Sequence, residues 1–328
     1  MPLGNSTVHV SPIAFGAWAI GGWMWGGAEE QDAIRAIRAS YHAGITTIDT
    51  APVYGFGKSE SLVGQAMAGI SRDKYQILTK YGMNWKTDEG EFYFDTIDND
   101  GKPTKVYKYS GRDSVIKECE DSLQRLKTDY VDLLQIHWPD ATTPIAETME
   151  AVATLIKAGK VRAAGVCNYS AAQVTEALRT VKIVSNQVPY SLIHRGIERD
   201  LVPQAVNNGM SIVPYSPLQR GILTGKIKPD HHFNDGDTRK TNRFYKPQNI
   251  KRVNDMLQVI KPIADDHGAS LAQVIINWTT RQTAMDCVLV GARDEAQVAD
   301  NVKALSFTLT EEELGVIRAA AEKLVLAD

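Results

Sequence analysis

Short apolar runs alternate with amphipathic stretches along almost the whole chain. Segment 3–14 has a turn at Gly4-Asn5-Ser6 and places Val8 and Val10 on one face, the pattern of a short hairpin. A first strand is predicted over 14–17. From Glu29 the period changes. Ile34, Ile37 and Tyr41 share a helical face, acidic residues occupy the first turn, and Gly44 stops the helix. Further strands are predicted over 45–50, 75–80, 131–138, 163–167, 183–188, 211–215 and 286–290. The run 131–138 is nearly continuously apolar, as in a strand buried on both faces.

Helical spacing recurs over 59–67 and 114–126. Thr143-Pro144 opens the next helix with Pro at its first position, Met149, Val152 and Ile156 form its buried face, and Gly159 ends it. Helices follow over 171–178, 197–208, 251–267, 270–281, 295–304 and 311–323. Two long polar segments, 81–112 and 219–249, read as loops, the first with turn formers at Asn99-Asp100-Gly101-Lys102-Pro103. Loops of this length serve as lids or binding loops, and at least one is expected to move over the site.

Strands separated by helices argue for parallel βα units. The predicted fold is α/β, a (β/α)8 TIM barrel with an N-terminal β-hairpin and extra C-terminal helices; an open doubly wound sheet is the other arrangement the alternation allows. No linker or charge step divides residues 1–328, so one domain is expected.

Composition narrows the function. The net charge of −3 excludes a broad basic field for nucleic acid or anionic membranes. Cys119, Cys167 and Cys287 are far apart and form no CxxC pair, which argues against a zinc site or disulfide framework and fits a reducing compartment. No signal-like N-terminus or membrane-spanning apolar run is present, so a cytoplasmic protein without metal, nucleic-acid or membrane partners is expected, as a monomer or weak oligomer.

In a barrel the chemistry lies at the C-terminal strand ends. Those ends carry Trp18, Asp49 with Tyr54, Lys80, His137 with Trp138, Cys167 with Asn168, Gln187, Tyr215 with Ser216, and Gly291 to Arg293. Singly, Asp49 reads as a helix cap, Tyr54 as a packing aromatic, Lys80 as a solvated charge and His137 as a core histidine. Together they suit carbonyl reduction. Tyr54 would give a proton to the substrate oxygen, Lys80 would lower its pKa, Asp49 would hold Lys80, and His137 would orient the oxygen. Gly55-Phe56-Gly57-Lys58-Ser59 imitates a phosphate loop, but Pro52 stands where the earlier Gly is required. His231-His232 lacks further metal ligands nearby.

DTAPVYGFGKSE, ILTK, LLQIHWPD, GVCNYS, PYSPLQRGILTGK and LVGAR resemble, in order, motifs of the aldo-keto reductases, over nearly the whole chain. WAIGGWMWGG is similar to the bacterial branch with general-stress reductases and glycerol/glyceraldehyde dehydrogenases. The resemblance implies a catalytic tetrad of Asp49, Tyr54, Lys80 and His137, and NADPH/NADP+ as cofactor. It also implies that Tyr215 stacks on the nicotinamide and that Asn168 and Gln187 hold its carboxamide. Arg220, Gly221 and Lys226 would meet the pyrophosphate, Arg293 the 2′-phosphate, and Gln297 and Asn301 the adenine. Gly16, Trp18, Ser216, Leu218 and Gly291 complete the implied cofactor groove. Trp23, Trp25, Trp85 and Trp138, with Tyr54 and His137, would line the pocket for a small-molecule carbonyl substrate. Short polyol aldehydes are implied first, with aromatic aldehydes as surrogates.

Cys167 stands where many relatives have Ser, and Asp294 where relatives carry a second base. An acid there opposes a 2′-phosphate unless it is turned away as a helix cap. Two other functions fit a barrel with these residues: a Schiff-base lyase using Lys80, and a cofactor-sensing regulatory protein with little turnover.

Overall fold

The computed structural model describes residues 1–22, 29–233, 237 and 239–327. Strands β1 (Ile13–Gly16), β2 (Thr47–Asp49) and β3 (Gln76–Tyr81) are followed by β4 (Met83–Asn84), β5 (Glu91–Ile97) and β6 (Pro103–Lys108). Then come β7 (Val131–Ile136), β8 (Val161–Cys167), β9 (Ile183–Pro189), β10 (Ser211–Tyr215) and β11 (Val288–Gly291). Eight of them pair in parallel in the order β10-β9-β8-β7-β3-β2-β1-β11. The outer strands meet where the Ile212 amide donates to Ala284 O at 2.7 Å and the Asp286 amide to Ser211 Oγ at 3.3 Å. The sheet therefore curls into a nearly closed (β/α)8 barrel rather than an open doubly wound sheet.

Around it lie α1 (Glu30–His42), α2 (Lys58–Ala66), α3 (Arg112–Leu126), α4 (Ile145–Lys157), α5 (Ala171–Ala177), α6 (Leu201–Asn208), α7 (Pro247–Asp266), α8 (Leu271–Thr280), α9 (Glu295–Val302) and α10 (Glu311–Glu322). The expected α1 face is rotated slightly. Ala33, Ala36 and Ile37 form its buried centre, while Ile34 and Tyr41 are only partly covered at its margins. Small side chains let the helix sit close to the sheet. Capping boxes open α5, α8 and α10 at Ser170, Ser270 and Thr310.

The interior is divided by height. Its floor is apolar, with Leu3, Val8 and Val10 packed under Ala14, Leu78, Leu133, Val213 and Cys287. Its upper layer is polar, with Asp49, Lys80 and Gln187 all buried. The N-terminal hairpin is reduced to one antiparallel bridge, Pro2 to His9, that carries the apolar plug across the floor.

Four expectations are corrected. Segment 81–112 is not a loop: β4, β6 and β5 form a three-stranded antiparallel sheet. The turn formers close the β5–β6 hairpin, where Asp98 Oδ1 accepts from the Asp100 and Lys102 amides at 2.9 Å each. Segment 219–249 contains 3-10 turns at Gln219–Thr224 and Arg243–Tyr245, and α7 starts inside it. The helix expected over 197–208 is split at Asp200, whose backbone leaves helical geometry (φ −135°) between Gly196–Arg199 and α6. Pro144 caps α4 one residue before its first turn. Among the described residues no helix is long and apolar enough to cross a membrane.

Candidate active site

The glycines of the 48–59 stretch serve close packing. Gly55 is left-handed (φ 65°), and a Cβ there would collide with the carbonyl oxygen of Gly21. Its own carbonyl accepts from Asn99 Nδ2 at 2.8 Å. The lysine and serine that imitated a phosphate loop are otherwise engaged. Lys58 pairs with Glu30 at 3.0 Å, and Ser59 is buried, donating to Ala17 O at 2.8 Å. This turn fixes the path by which Tyr54 returns over the barrel mouth.

Below Tyr54 lies a buried ion pair. Lys80 Nζ donates to Asp49 Oδ1 at 2.6 Å and to Thr50 O at 2.9 Å, and Asp49 Oδ2 accepts from Gln187 Nε2 at 2.8 Å. The ammonium also sits 4.9 Å from the Tyr54 ring centre, and its charge acts on the Tyr54 phenol. His137 meets that ring edge-on at 5.5 Å, and Trp18 flanks it at 6.1 Å. Four strand-end residues thus converge, because β2, β3 and β7 are adjacent in the sheet.

Electrostatics give each group a defined state. Burial pushes the Tyr54 phenol up to about 12, and the nearby Lys80 offsets only part of this. The expectation that Lys80 lowers the phenol below its usual value is therefore corrected: desolvation outweighs the cation. Asp49, with Tyr54 and Cys167, overcomes the burial that would neutralise Lys80, so its pKa is raised and it stays an ammonium. Burial, followed by Lys80, holds His137 well below the usual imidazole range, so it is neutral.

A cavity of about 600 Å³ opens above these groups. Its wall includes Gly16, Trp18, Asp49, Tyr54, His137, Trp138, Asn168, Gln187, Tyr215, Ser216, Leu218, Arg220, Gly221, Gly291, Arg293 and Gln297. Lys80 lies beneath it, fully buried. Lys226, Trp85 and Asn301 are not in the wall. Trp85 packs edge-on against Phe56 at 5.4 Å, and Asn301 Nδ2 donates to Gly291 O at 3.2 Å. Trp23 and Trp25 fall outside the described residues.

The two carboxamides are already engaged. Gln187 donates to Asp49, while Asn168 Nδ2 donates to His137 O at 3.0 Å and Asn168 Oδ1 accepts from the Tyr215 hydroxyl at 3.0 Å. Asn168 is left-handed (φ 59°), a conformation its short polar side chain tolerates.

The far arm of the cavity suits a phosphate-bearing cofactor. Gln219, Arg220 and Gly221 are consecutively left-handed, with the Gln219 amide donating to Ser216 O at 2.8 Å and the Gly221 amide to Leu218 O at 2.9 Å, and Arg220 and Arg293 both border this arm. Asp294 caps α9: its Oδ1 accepts from the Gln297 amide at 2.8 Å and its Oδ2 from Gln297 Nε2 at 3.0 Å. Its carboxylate is thereby turned into the helix. The exposed Arg293 guanidinium makes no hydrogen bond or ion pair among the described residues and borders the cavity.

Met83, Tyr93, Phe94 and Val53 also line the cavity and were missed in the sequence. The signal was available. β-Prone EFYFDTI ends at a DNDGK turn, which marks a hairpin.

Glu118 supports the end of β3. Its carboxylate accepts from the Gly82 amide at 3.2 Å and from Ser114 Oγ at 3.1 Å, and burial pushes its pKa up to about 7. A raised carboxyl pKa favours the fold fully below the unfolded value, and that contribution is lost as pH rises through about 7. Glu118→Gln should therefore stabilise the protein at pH 8 by about 1–2 kcal/mol, with little effect at pH 5. Thermal unfolding at the two pH values checks this; a pH-independent difference would show that Glu118 is not the titrating group.

The Aldo/keto reductase family profile matches residues 12–322. The chain is 35% identical over 325 residues to "Aldo-keto reductase YhdN" of Bacillus subtilis (strain 168), covering 98% of this chain and 93% of that one. It is 34% identical over 329 residues to the "NADH-specific methylglyoxal reductase" of Escherichia coli (strain K12), covering 99% and 98%. Among solved structures, the glycerol dehydrogenase AKR11B4 from Gluconobacter oxydans superposes with a TM-score of 0.89 at 34% identity, covering 99% of this chain and 95% of that one.

Proposed function

We propose that this chain, which belongs to the aldo/keto reductase family, is an NADPH-dependent oxidoreductase that reduces aldehydes and ketones to alcohols. Small polyol aldehydes such as glyceraldehyde and aromatic aldehydes are its candidate substrates. One observation carries the reading: a neutral phenol, Tyr54, faces a cavity with its hydroxyl backed by the buried Lys80–Asp49 pair. A group that must deliver a proton on demand needs to be protonated at rest and to leave behind a stabilised anion.

When bound, the nicotinamide supplies the hydride to the carbonyl carbon. The Tyr54 hydroxyl gives its proton to the carbonyl oxygen as negative charge develops there. Lys80 stabilises the phenolate left behind, which solvent then reprotonates. His137, being neutral, offers an N–H to the same oxygen and orients it without adding a charge. Gln187 and Thr50 O hold Asp49 and Lys80 in place. The ion pair also argues against a Schiff-base lyase, because an ammonium cannot attack a carbonyl.

NADPH is favoured over NADH because Arg293 presents an uncommitted planar fork at the cavity edge while Asp294 is spent on the α9 cap. The similar Escherichia coli protein is named NADH-specific, so the nucleotide preference is measured directly. Nucleotide fluorescence titrations followed by an aldehyde screen test the reading. Nucleotide oxidation with one or more aldehydes is expected, and none with any carbonyl would overturn it. In Arg293→Ala the ratio of NADPH to NADH affinity should fall about tenfold, the loss of one charge-assisted phosphate contact. An unchanged ratio would remove Arg293 as the reader of the 2′-phosphate.

A further inference from the structure

The β5–β6 hairpin contributes part of the cavity wall, and its ladder is irregular at one place. Phe92 pairs with Tyr107 and Phe94 with Val106, leaving Tyr93 as an extra residue in β5. Along a regular strand, successive side chains point to opposite faces, so Tyr93 and Phe94 could not both reach the cavity. The β-bulge re-aims them. Both line the cavity, with ring centres 4.9 Å apart, while Phe92 turns to solvent against Tyr107.

The bulge is held from several sides. Tyr93 packs on Trp138 at 5.8 Å, and Lys108 lies 5.1 Å over its ring while pairing with Glu91 at 2.8 Å. The root of the hairpin is paired to β4 through Met83 and Asn84. Asn99 at its tip donates to the carbonyl of Gly55, the residue after Tyr54. The aromatic wall and the proposed proton donor are therefore mechanically joined.

This wall has a chemical preference. Tyr54 and His137 face the reacting oxygen, whereas Val53, Met83, Tyr93, Phe94 and Trp138 present mostly apolar or flat surfaces beside it. A polyol chain against such surfaces leaves hydroxyls without partners, which is costly, while a flat unsaturated group gains area and ring contacts. Resting on the reading of the site as a carbonyl reductase, we infer that the Tyr93–Phe94 bulge is its specificity element. It selects carbonyl compounds bearing an aromatic or flat apolar group over short polyol aldehydes.

The test compares kcat/KM for 4-nitrobenzaldehyde and glyceraldehyde in the full-length protein, Tyr93→Ala and Tyr93→Phe, with nucleotide titration confirming folded sites. The unaltered protein should favour the aromatic aldehyde by about tenfold or more. Tyr93→Ala should cut that ratio by about fivefold or more, mainly through KM, and Tyr93→Phe should restore it because the ring and not the hydroxyl forms the wall. If Tyr93→Ala does not fold, Phe94→Leu should lower the ratio in the same direction. A ratio that stays constant in the variants, or an unaltered protein that favours glyceraldehyde, overturns the inference and leaves the reductase reading standing. Absence of turnover with both aldehydes and both nucleotides in the unaltered protein instead removes the reductase reading and the inference with it.

Discussion

Tyr54→Phe should lose carbonyl reduction by on the order of 10²–10⁴-fold in kcat while retaining nucleotide binding. The substitution removes one oxygen and leaves the ring, so the contacts to Trp18 and His137 persist. What disappears is the phenol placed against Lys80. His137 cannot take over as an acid at neutral pH, because burial and the adjacent ammonium keep its ring uncharged. Because the Tyr54 pKa is about 12, its phenol remains protonated across the pH range in which the enzyme would be assayed. Stopped-flow nucleotide fluorescence separates binding from hydride transfer. Full reduction by Tyr54→Phe would mean that protons reach the substrate from another group, and the proposed mechanism would fall.

Lys80→Met should damage stability as well as activity. Lys80 is fully buried and Asp49 nearly so, so removing the cation leaves a buried carboxylate that, among the described residues, keeps the side-chain hydrogen bond from Gln187 but loses its counter-ion. Breaking a buried pair from one side costs about 3–5 kcal/mol, against a typical total stability of about 5–15 kcal/mol. Reduction should fall on the order of 10²-fold as well, since the phenolate would form without its counter-ion. The double variant Asp49→Asn/Lys80→Met removes both charges, and it should recover much of the stability but none of the activity. Differential scanning calorimetry and kinetics on the three proteins check this. If Lys80→Met melts with the unaltered protein, the pair is not a structural constraint.

How much of this was legible beforehand depends on the range of the interactions involved. Asp49, Lys80 and His137 could be picked out because each ends a strongly patterned apolar strand, and barrel topology brings such ends to one face. Asp294 presented two alternatives, an acid opposing phosphate or a cap; the hydrogen bonds to Gln297 show the cap. In segment 81–112 the polar turn at 99–103 masks the two flanking strands in the sequence pattern. EFYFDTI and PTKVYK are short, and their pairing is set by cross-strand partners rather than by either strand alone.

The amino-acid sequence by itself determined the alternating order of parallel strands and helices and the residue types at the strand ends. These follow from local periodicity and from the packing rules of parallel βα units. The contacts of Ser211 and Ile212 with Ala284 and Asp286 decided for a closed barrel over an open sheet. Only the tertiary structure decided the charge states and the shape of the cavity. Whether Tyr54 ends above or below its ordinary pKa depends on a contest between burial and a cation from another strand, and burial wins. Whether Tyr93 and Phe94 reach the cavity depends on one extra residue in a ladder, which a strand pattern alone does not register.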